Sequence, residues 1–509
     1  MNKKYIALAL TLASLGLSSC SKDFLEKEPS QFTTPEIMGR NLAWNANILL
    51  GQVAGATQIT FSTGQSITGH HDFGQKSVDI QTDLFSGDME MTANGGYPWF
   101  ENAANLLGSS SKKSAYTYAN WRIYYKVIFT VNAVFDASGS DENPGTLTGK
   151  NLFYWGQSKV MRAYAYYNLI NLYAKHYNKG AGNVGVPIYR TSKSDVAVKP
   201  STVGEVYDFI IKDLQEGRDA IEKSGVERQF KSDIDATIAT SYLAYAYLQT
   251  GKYQEAYTEA KKVIDAGKYP LLPASELTSN GFNNVSHPEF IWAVDITTDN
   301  TGALVSFWGH IDVFELSYAG VGDYKVINGN LYDSMPETDL RKQWFDKNTG
   351  LPIHKFFSEL VTKDPVQRQK LFNAGRTMTG RQWTNDIVYL RSAELYLIAM
   401  EAAARKGDVA AARTMLKELY AQRTSSTDLA AVNAEIDQLS DTDLLEKIYY
   451  NWRVEMWGEG RALTTMKRFE KSVARSGRST FYTNETIAYD DPRLVFQYPE
   501  REQQNNPNL

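Results

Sequence analysis

Apolar residues recur with helical spacing through much of this chain, most clearly from Ile238 to Ala266. Ala239, Tyr242, Leu243, Ala246 and Tyr247 share one face of a 3.6-residue repeat. Gly251 interrupts it, and Tyr253, Ala256, Tyr257, Ala260, Val263 and Ile264 lay down a second stripe. The pattern predicts two antiparallel helices, with small alanines permitting close approach and tyrosines filling the gaps. The pattern returns near the C-terminus. Leu390, Ala393 and Leu397 begin a helix from about Asp386, Gly407-Asp408 makes the turn, and Ala412, Met415, Leu416 and Leu419 line the return.

Further stripes complete the series. Trp121, Tyr124, Tyr125, Ile128, Asn132 and Phe135 face Val160, Ala163, Tyr164, Tyr167, Ile170 and Ala174. Thr202 and Glu205 have capping-box spacing before Val206, Phe209, Ile210 and Leu214. Leu445, Ile448, Trp452 and Met456 mark a last long helix. Leu243, Ala244, Tyr247, Gly251, Tyr253 and Ala256 match the residue sizes of a tetratricopeptide (TPR) unit. One such hairpin leaves a face uncovered and requires neighbours to stack on. The expected fold is all-α dominated: a TPR-like array of about four helix pairs, in blocks 118–266 and 386–468, with few short strands.

Residues 31–60 read as a first helical segment carrying Trp44, Ile48 and Leu49. Two regions lack the period. Residues 61–117 are rich in Gly, Ser, Thr and Asp, with a short helical turn at Val78–Leu84. Residues 270–385 hold a short strand at Phe290–Val294 and then scattered aromatics, and residues 470–509 are loop-rich. So long an irregular insert in a helical array predicts a binding region.

Composition narrows the function. The 509 residues carry a net charge of −5, with no basic run, which argues against a nucleic-acid partner. Lys3 and Lys4 precede an apolar run, Tyr5–Leu17, of signal-peptide length and too short to span a bilayer. Leu17-Ser18-Ser19-Cys20 has the form of a bacterial lipobox. The expectation is a signal peptide over 1–19, a lipid-anchored tether over 20–30 from Cys20, and a single domain over 31–509. Cys20 is the one cysteine, so its lipidation leaves no thiol for redox chemistry or metal ligation.

Candidate chemistry divides into charged and aromatic groups. Arg391, Glu394, Glu401, Arg453, Glu455, Glu459 and Arg461 fall on amphipathic helical patterns; Glu394 and Glu401, one heptad apart, suit ion pairing with arginines of a packed neighbour better than acid–base catalysis. Asp79, Asp83, Asp88 and Glu90 are expected to cap and tie the 72–100 loops. His70 and His71, adjacent on an extended loop, point to opposite sides and make a poor chelate, while Asp72 suits a hydrogen bond to backbone or to a sugar hydroxyl. Nucleophile-elbow, Walker and dinucleotide signatures are absent. The expectation is a binding protein without catalysis, cofactor or metal.

Sugars present an apolar C–H face and an edge of hydroxyls, so their binders need flat rings beside polar side chains. Tyr97-Pro98-Trp99-Phe100-Glu101-Asn102 supplies both. Trp308-Gly309-His310, Tyr318 and Tyr324 supply a second group, where Gly and Asn neighbours favour exposure of Trp308 and Tyr324. Candidate ligand residues are therefore Asp72, Tyr97, Trp99, Asn102, Trp308, His310, Tyr318 and Tyr324.

Five stretches in order resemble the SusD/RagB family of outer-membrane nutrient-binding lipoproteins. They are Cys20 with Asp23-Phe24-Leu25; Arg162-Ala163-Tyr164 before Val186-Pro187; Asp333 with Asp339-Leu340-Arg341; Tyr389 to Ile398; and Glu459-Gly460-Arg461. The acidic residues behind Cys20 resemble the surface-export tether of Bacteroidota lipoproteins. The late helix departs from the family pattern, with Asn451-Trp452-Arg453 and Leu463-Thr464-Thr465-Met466 where Glu-Arg and Asp-Leu-x-Arg are usual. The resemblance implies a lipid-anchored protein on the cell surface that binds a glycan on an arc of aromatics and delivers it to a SusC-like TonB-dependent transporter. Trp99 and Asn102 fall near the matching positions of that arc. A peptide-binding, RagB-like role and a helical-repeat envelope scaffold without small ligand remain the alternatives.

Overall fold

The computed structural model describes residues 34–41, 47–64, 69–92, 96–193, 197–375, 383–481 and 485–509. Cys20, the signal peptide, the tether and Trp44 lie outside the described residues. The first helical segment is two helices, α1 (Pro35–Asn41) and α2 (Asn47–Ile59). The array proper consists of α4 (Ala115–Ser138), α5 (Gly149–Tyr173), α6 (Val203–Ser224), α7 (Ala236–Gln249), α8 (Tyr253–Asp265), α9 (Ser392–Arg405), α10 (Val409–Tyr420), α11 (Asp441–Glu455) and α12 (Ala462–Phe469). Helices α4 through α10 each pack on the next, so α8 meets α9 although the whole irregular insert separates them in sequence. The fold is thus helix-dominated, as the periodicity implies.

Local signals set the helix ends. Thr202 and Glu205 form the reciprocal capping box of α6. The Asp235 carboxylate accepts from Ile238 N at the start of α7, and Asp408 from Ala411 N at the start of α10. From Ile238 to Gln249 every residue of α7 is buried, because α6, α8 and α9 cover it on all sides.

Helix α3 (Gln75–Ser86) departs from expectation. It is three turns long and every residue in it is buried, where the sequence suggests one turn among loops. Its polar residues disguise it, and each has an internal partner: Gln75 Oε1 accepts from the hydroxyls of Tyr124 at 2.7 Å and Tyr164 at 2.6 Å, and Asn120 donates to Gln81 at 2.8 Å. Asp83 accepts from Gly458 N at 2.7 Å, and burial beside Asp79 and Asp88 pushes its carboxyl up to about 8. The other acids reach away from their own loops, Asp88 to Arg453 at 2.6 Å and Glu90 to Ser476 N at 2.6 Å. They tie this region to the C-terminal quarter of the chain.

Among the described residues, eight short strands form two-stranded antiparallel pairs: β1 (Met89–Met91) with β5 (Lys325–Ile327), β2 (Val184–Pro187) with β3 (Pro200–Thr202), β4 (Phe290–Val294) with β6 (Ile387–Arg391), and β7 (Val473–Ala474) with β8 (Thr486–Ile487). Strand β6 corrects the expected helix start near Asp386: Ile387-Val388-Tyr389 is a β-branched and aromatic run that pairs with β4, and α9 begins only at Ser392. The β4–β6 pair closes the base of the insert. The β1–β5 pair, with Met89 opposite Ile327, joins the two irregular regions.

At that base the charged motif residues meet. Arg391, on β6 and not on a helix, donates to Glu459 at 2.8 and 2.9 Å, to Glu455 at 2.7 Å and to Glu289 at 3.0 Å. Arg423 and Arg341 also grip Glu455, and Lys355 donates to Glu459 at 2.8 Å. These cations hold Glu459 at about 2 and Glu455 well below the usual carboxylate range. Gly460 turns the chain between α11 and α12 at φ 75°, where a Cβ would strike Asp79.

Candidate functional site

The turn before α3 is set by Asp72 N donating to Gly69 O at 3.1 Å and by Gly74, whose φ of 78° and contact with the Thr60 carbonyl exclude a side chain. It presents His70 and His71 towards residues 97–102. From the insert, a short helix, Phe307–Ile311, is capped by the Ser306 hydroxyl. The β1–β5 pair holds the two regions in register.

The rings from these regions form one cluster. His70 stacks on Trp99 with centroids 4.6 Å apart and planes at 20°. Tyr318 stands edge-on to Tyr97 at 5.1 Å and to Trp99 at 6.2 Å, and its hydroxyl pairs with His70 Nδ1. Tyr97 is 42% exposed, His70 and Trp99 are half-buried, and Tyr318 shows 4% of its surface. The result is a shallow rim rather than a closed cavity.

Histidines and a buried ion pair support the rim. His310 stacks between Tyr318 at 4.8 Å and Phe73 at 5.4 Å, and its Nε2–H donates to the His70 carbonyl at 2.9 Å. Its Nδ1 stands 3.4 Å from Asp323, which is itself bound to Lys325 at 2.5 Å. Burial lowers the pKa of His310, while Lys325 and His310 hold Asp323 below its ordinary value against its own burial. His71 stacks on Tyr116 at 4.2 Å, and the Tyr116 hydroxyl donates to the Trp99 carbonyl. Neither ring nitrogen of His71 finds a hydrogen-bond partner among the described residues, and burial, with His310 and His70 nearby, pulls its pKa down to about 4.

Of the candidate residues, Tyr97, Trp99 and Tyr318 meet in this cluster. Asn102 lies next to it on the surface, in the short helix Glu101–Ala104. Asp72 is 1% exposed and sits inside the turn, not on the rim. Trp308, expected at the surface, is core: it is 3% exposed, packs against Phe307 and Phe356, and donates from Nε1 to the Asp386 carbonyl at 3.1 Å. Its glycine neighbour serves a tight helical turn rather than an exposed loop. His310 is wholly buried and acts from below. Tyr324 is half-buried against a separate apolar group around Val313 and Phe357.

His70 is the rim ring that the sequence reading passed over. Both histidines reach Trp99, His71 at 6.3 Å, because the turn at 69–74 bends a backbone expected to be extended. Two adjacent aromatic-like residues before a glycine turn were the available signal. Among the described residues no group of three His, Cys, Asp or Glu is arranged to hold a metal ion.

The carboxylates are committed elsewhere. Glu394 accepts from Arg461 at 2.8 Å, and Glu401 accepts two bonds from Arg468 at 2.7 and 2.8 Å. Both pairings are the interhelical kind that the heptad spacing suggests.

Two family models together match most of the chain: a SusD-like model described as "Starch-binding associating with outer membrane" over residues 24–248, and a SusD/RagB model described as "SusD family" over residues 288–509. A SusD-like carbohydrate binding protein of Bacteroides vulgatus superposes with a TM-score of 0.74 at 22% identity, covering 91% of this chain and 97% of that one. A SusD superfamily protein of Bacteroides thetaiotaomicron gives 0.70 at 22% identity, with 91% and 98% covered. Surface glycan-binding protein A of Bacteroides uniformis gives 0.64 at 15% identity, with 91% and 99% covered. These likenesses show a shared fold. SusD-like protein P2 of Formosa agariphila is 28% identical over 154 residues, a stretch that spans 29% of this chain and 27% of that relative.

Proposed function

The chain belongs to the SusD/RagB family, and from that premise we propose that it captures an oligosaccharide at the cell surface and delivers it to a SusC-like TonB-dependent transporter. Cys20 is the lipid anchor in this reading, and the outer membrane its support; the family description, which associates its members with that membrane, favours this. No bond is broken. The ligand meets ring faces, and its hydroxyls meet Asn102 and the His70–Tyr318 pair.

One observation carries the proposal: His70, Tyr97, Trp99 and Tyr318, drawn from stretches more than two hundred residues apart, converge on a single partly exposed rim. It is the grouping of these rings beside one open face, rather than the exposure of Tyr97 alone, that suits a flat apolar ligand surface. The starch- and glycan-binding descriptions of its family and structural relatives point to the same ligand class.

Titration of a plant, host and microbial polysaccharide panel by calorimetry tests this. A glycan that binds wild type and loses affinity in Trp99→Ala, but not in Tyr324→Ala, supports the placement. Equal affinity in wild type and Trp99→Ala would move the site elsewhere. A response to a tryptic digest with none to any glycan would favour the peptide-binding alternative.

A further inference from the structure

A cavity of about 330 Å3 that shares no lining residue with the rim lies between the segment that follows α5 and residues 489–495. Lys467 enters its wall from α12. Its side chain is buried, its ammonium donates to the Leu494 carbonyl at 2.8 Å, and among the described residues no carboxylate stands within ion-pair distance. That is unusual company for a buried cation, since charges inside proteins are paired or displaced towards neutrality. Burial alone brings Lys467 down to about 7.

The other charged groups of the cavity are mostly engaged. Lys179 donates to the Tyr489 hydroxyl at 2.7 Å and pairs with Glu470 at 3.4 Å. Asp491 holds Arg493 at 2.6 Å. His176 bonds Gln249 at 2.7 Å and, buried, sits at about 4 and so is neutral. What remains is Lys467 inside and Lys175 at the exposed mouth, against one exposed carboxylate, Asp490.

We propose that this cavity binds a small oxyanion, the carboxylate or sulfate of an acidic sugar or free phosphate, with Lys467 as its buried charge partner and Lys175 at its mouth. An ammonium has three donors, and Leu494 uses one. An oxyanion seated there accepts the others in a water-poor setting, where charge-assisted bonds are strongest. The volume holds one sugar residue or a smaller anion. No residue of the site belongs to the aromatic rim, so either reading stands or falls without the other.

The bound anion favours protonated Lys467, so affinity falls as pH rises through the range where the free ammonium is lost. The groups facing Lys467 are Lys175, His176, Lys179, Asp490 and Asp491. Of these His176 is already neutral, and Lys179 is held charged by Tyr489 and Glu470.

Calorimetry of the full chain with phosphate, sulfate and galacturonate, and with galactose as the neutral control, is the test. At least one anion binds at pH 6.5, and binds about tenfold more weakly at pH 8.5 and in Lys467→Met. Galacturonate alone binding assigns the site to an acidic sugar; phosphate or sulfate binding equally well assigns it to the free anion, and both support the proposal. Absence of binding by all three, or affinity unchanged in a folded Lys467→Met, overturns it. If circular dichroism shows Lys467→Met unfolded, Lys175→Glu at the mouth decides: affinity lowered about fivefold supports the site, and unchanged affinity overturns it.

Discussion

The Arg391 hub and the aromatic rim are built alike and finished differently. Each gathers residues from distant stretches, the hub where β4 and β6 close the base of the insert and the rim where β1 and β5 join the two irregular regions. In the hub the side chains are sealed from solvent and each charge has a partner, Arg391 alone serving Glu289, Glu455 and Glu459. In the rim Tyr97 is left open, and among the described residues His71 keeps two ring nitrogens unmet. A satisfied charge network holds a fold together and has nothing to offer a ligand. An incompletely covered stack of rings has spare surface, and a sugar face fits it. The acidic residues that first suggest chemistry are therefore architecture, and the neutral aromatics are the groups to which the proposed binding is assigned.

The sharpest break of this contrast is Arg391→Met. Removing Arg391 takes from Glu289 its ion-pair partner and from Glu455 and Glu459 one of their cations, at a cost of about 3–5 kcal/mol in stability by denaturant titration. Stability unchanged by more than experimental error would make the hub dispensable. Trp99→Ala acts on the other side: about 2 kcal/mol of glycan affinity, roughly thirtyfold, is lost while the folded state survives.

The rim also has a pH signature. His71 titrates near 6.5 when unfolded and at about 4 when folded, so the unfolded chain binds more protons between those values and stability falls as pH drops from 7 towards 4. The contribution of this one group between pH 7 and pH 5 is about 2 kcal/mol. Replacing it in His71→Phe flattens the acid limb of a melting-temperature profile; an unaltered limb would mean that His71 is not buried neutral. The smallest effect is Tyr97→Ala, about 1 kcal/mol in affinity with no change in melting temperature, because its exposed ring adds contact and little core.

Much of the fold was legible because it is local. The stripe of Ala239, Leu243 and Ala246, the capping box of Thr202 and Glu205 and the turn at Gly251 report on residues a few positions away. Helix α3 was not, since Gln75, Gln81 and Asp83 read as surface until Tyr124 and Tyr164, Asn120 and the Gly458 amide arrive to satisfy them. Strand β6 was hidden for a similar reason: Ile387–Arg391 also suits a helical stripe, and pairing with β4 decides. At the candidate site, residue type was informative and position was not. Tyr97, Trp99 and Trp308 look equivalent in sequence, yet Trp308 is sunk between Phe307 and Phe356.

By itself the sequence determined the helical array, the family and the stock of rings, because helical periodicity and short motifs are written within a few turns of chain. Only the tertiary structure decided which rings share a surface. That choice rests on β1 meeting β5 and on the turn at Gly74, and pairings across more than two hundred residues leave no local trace.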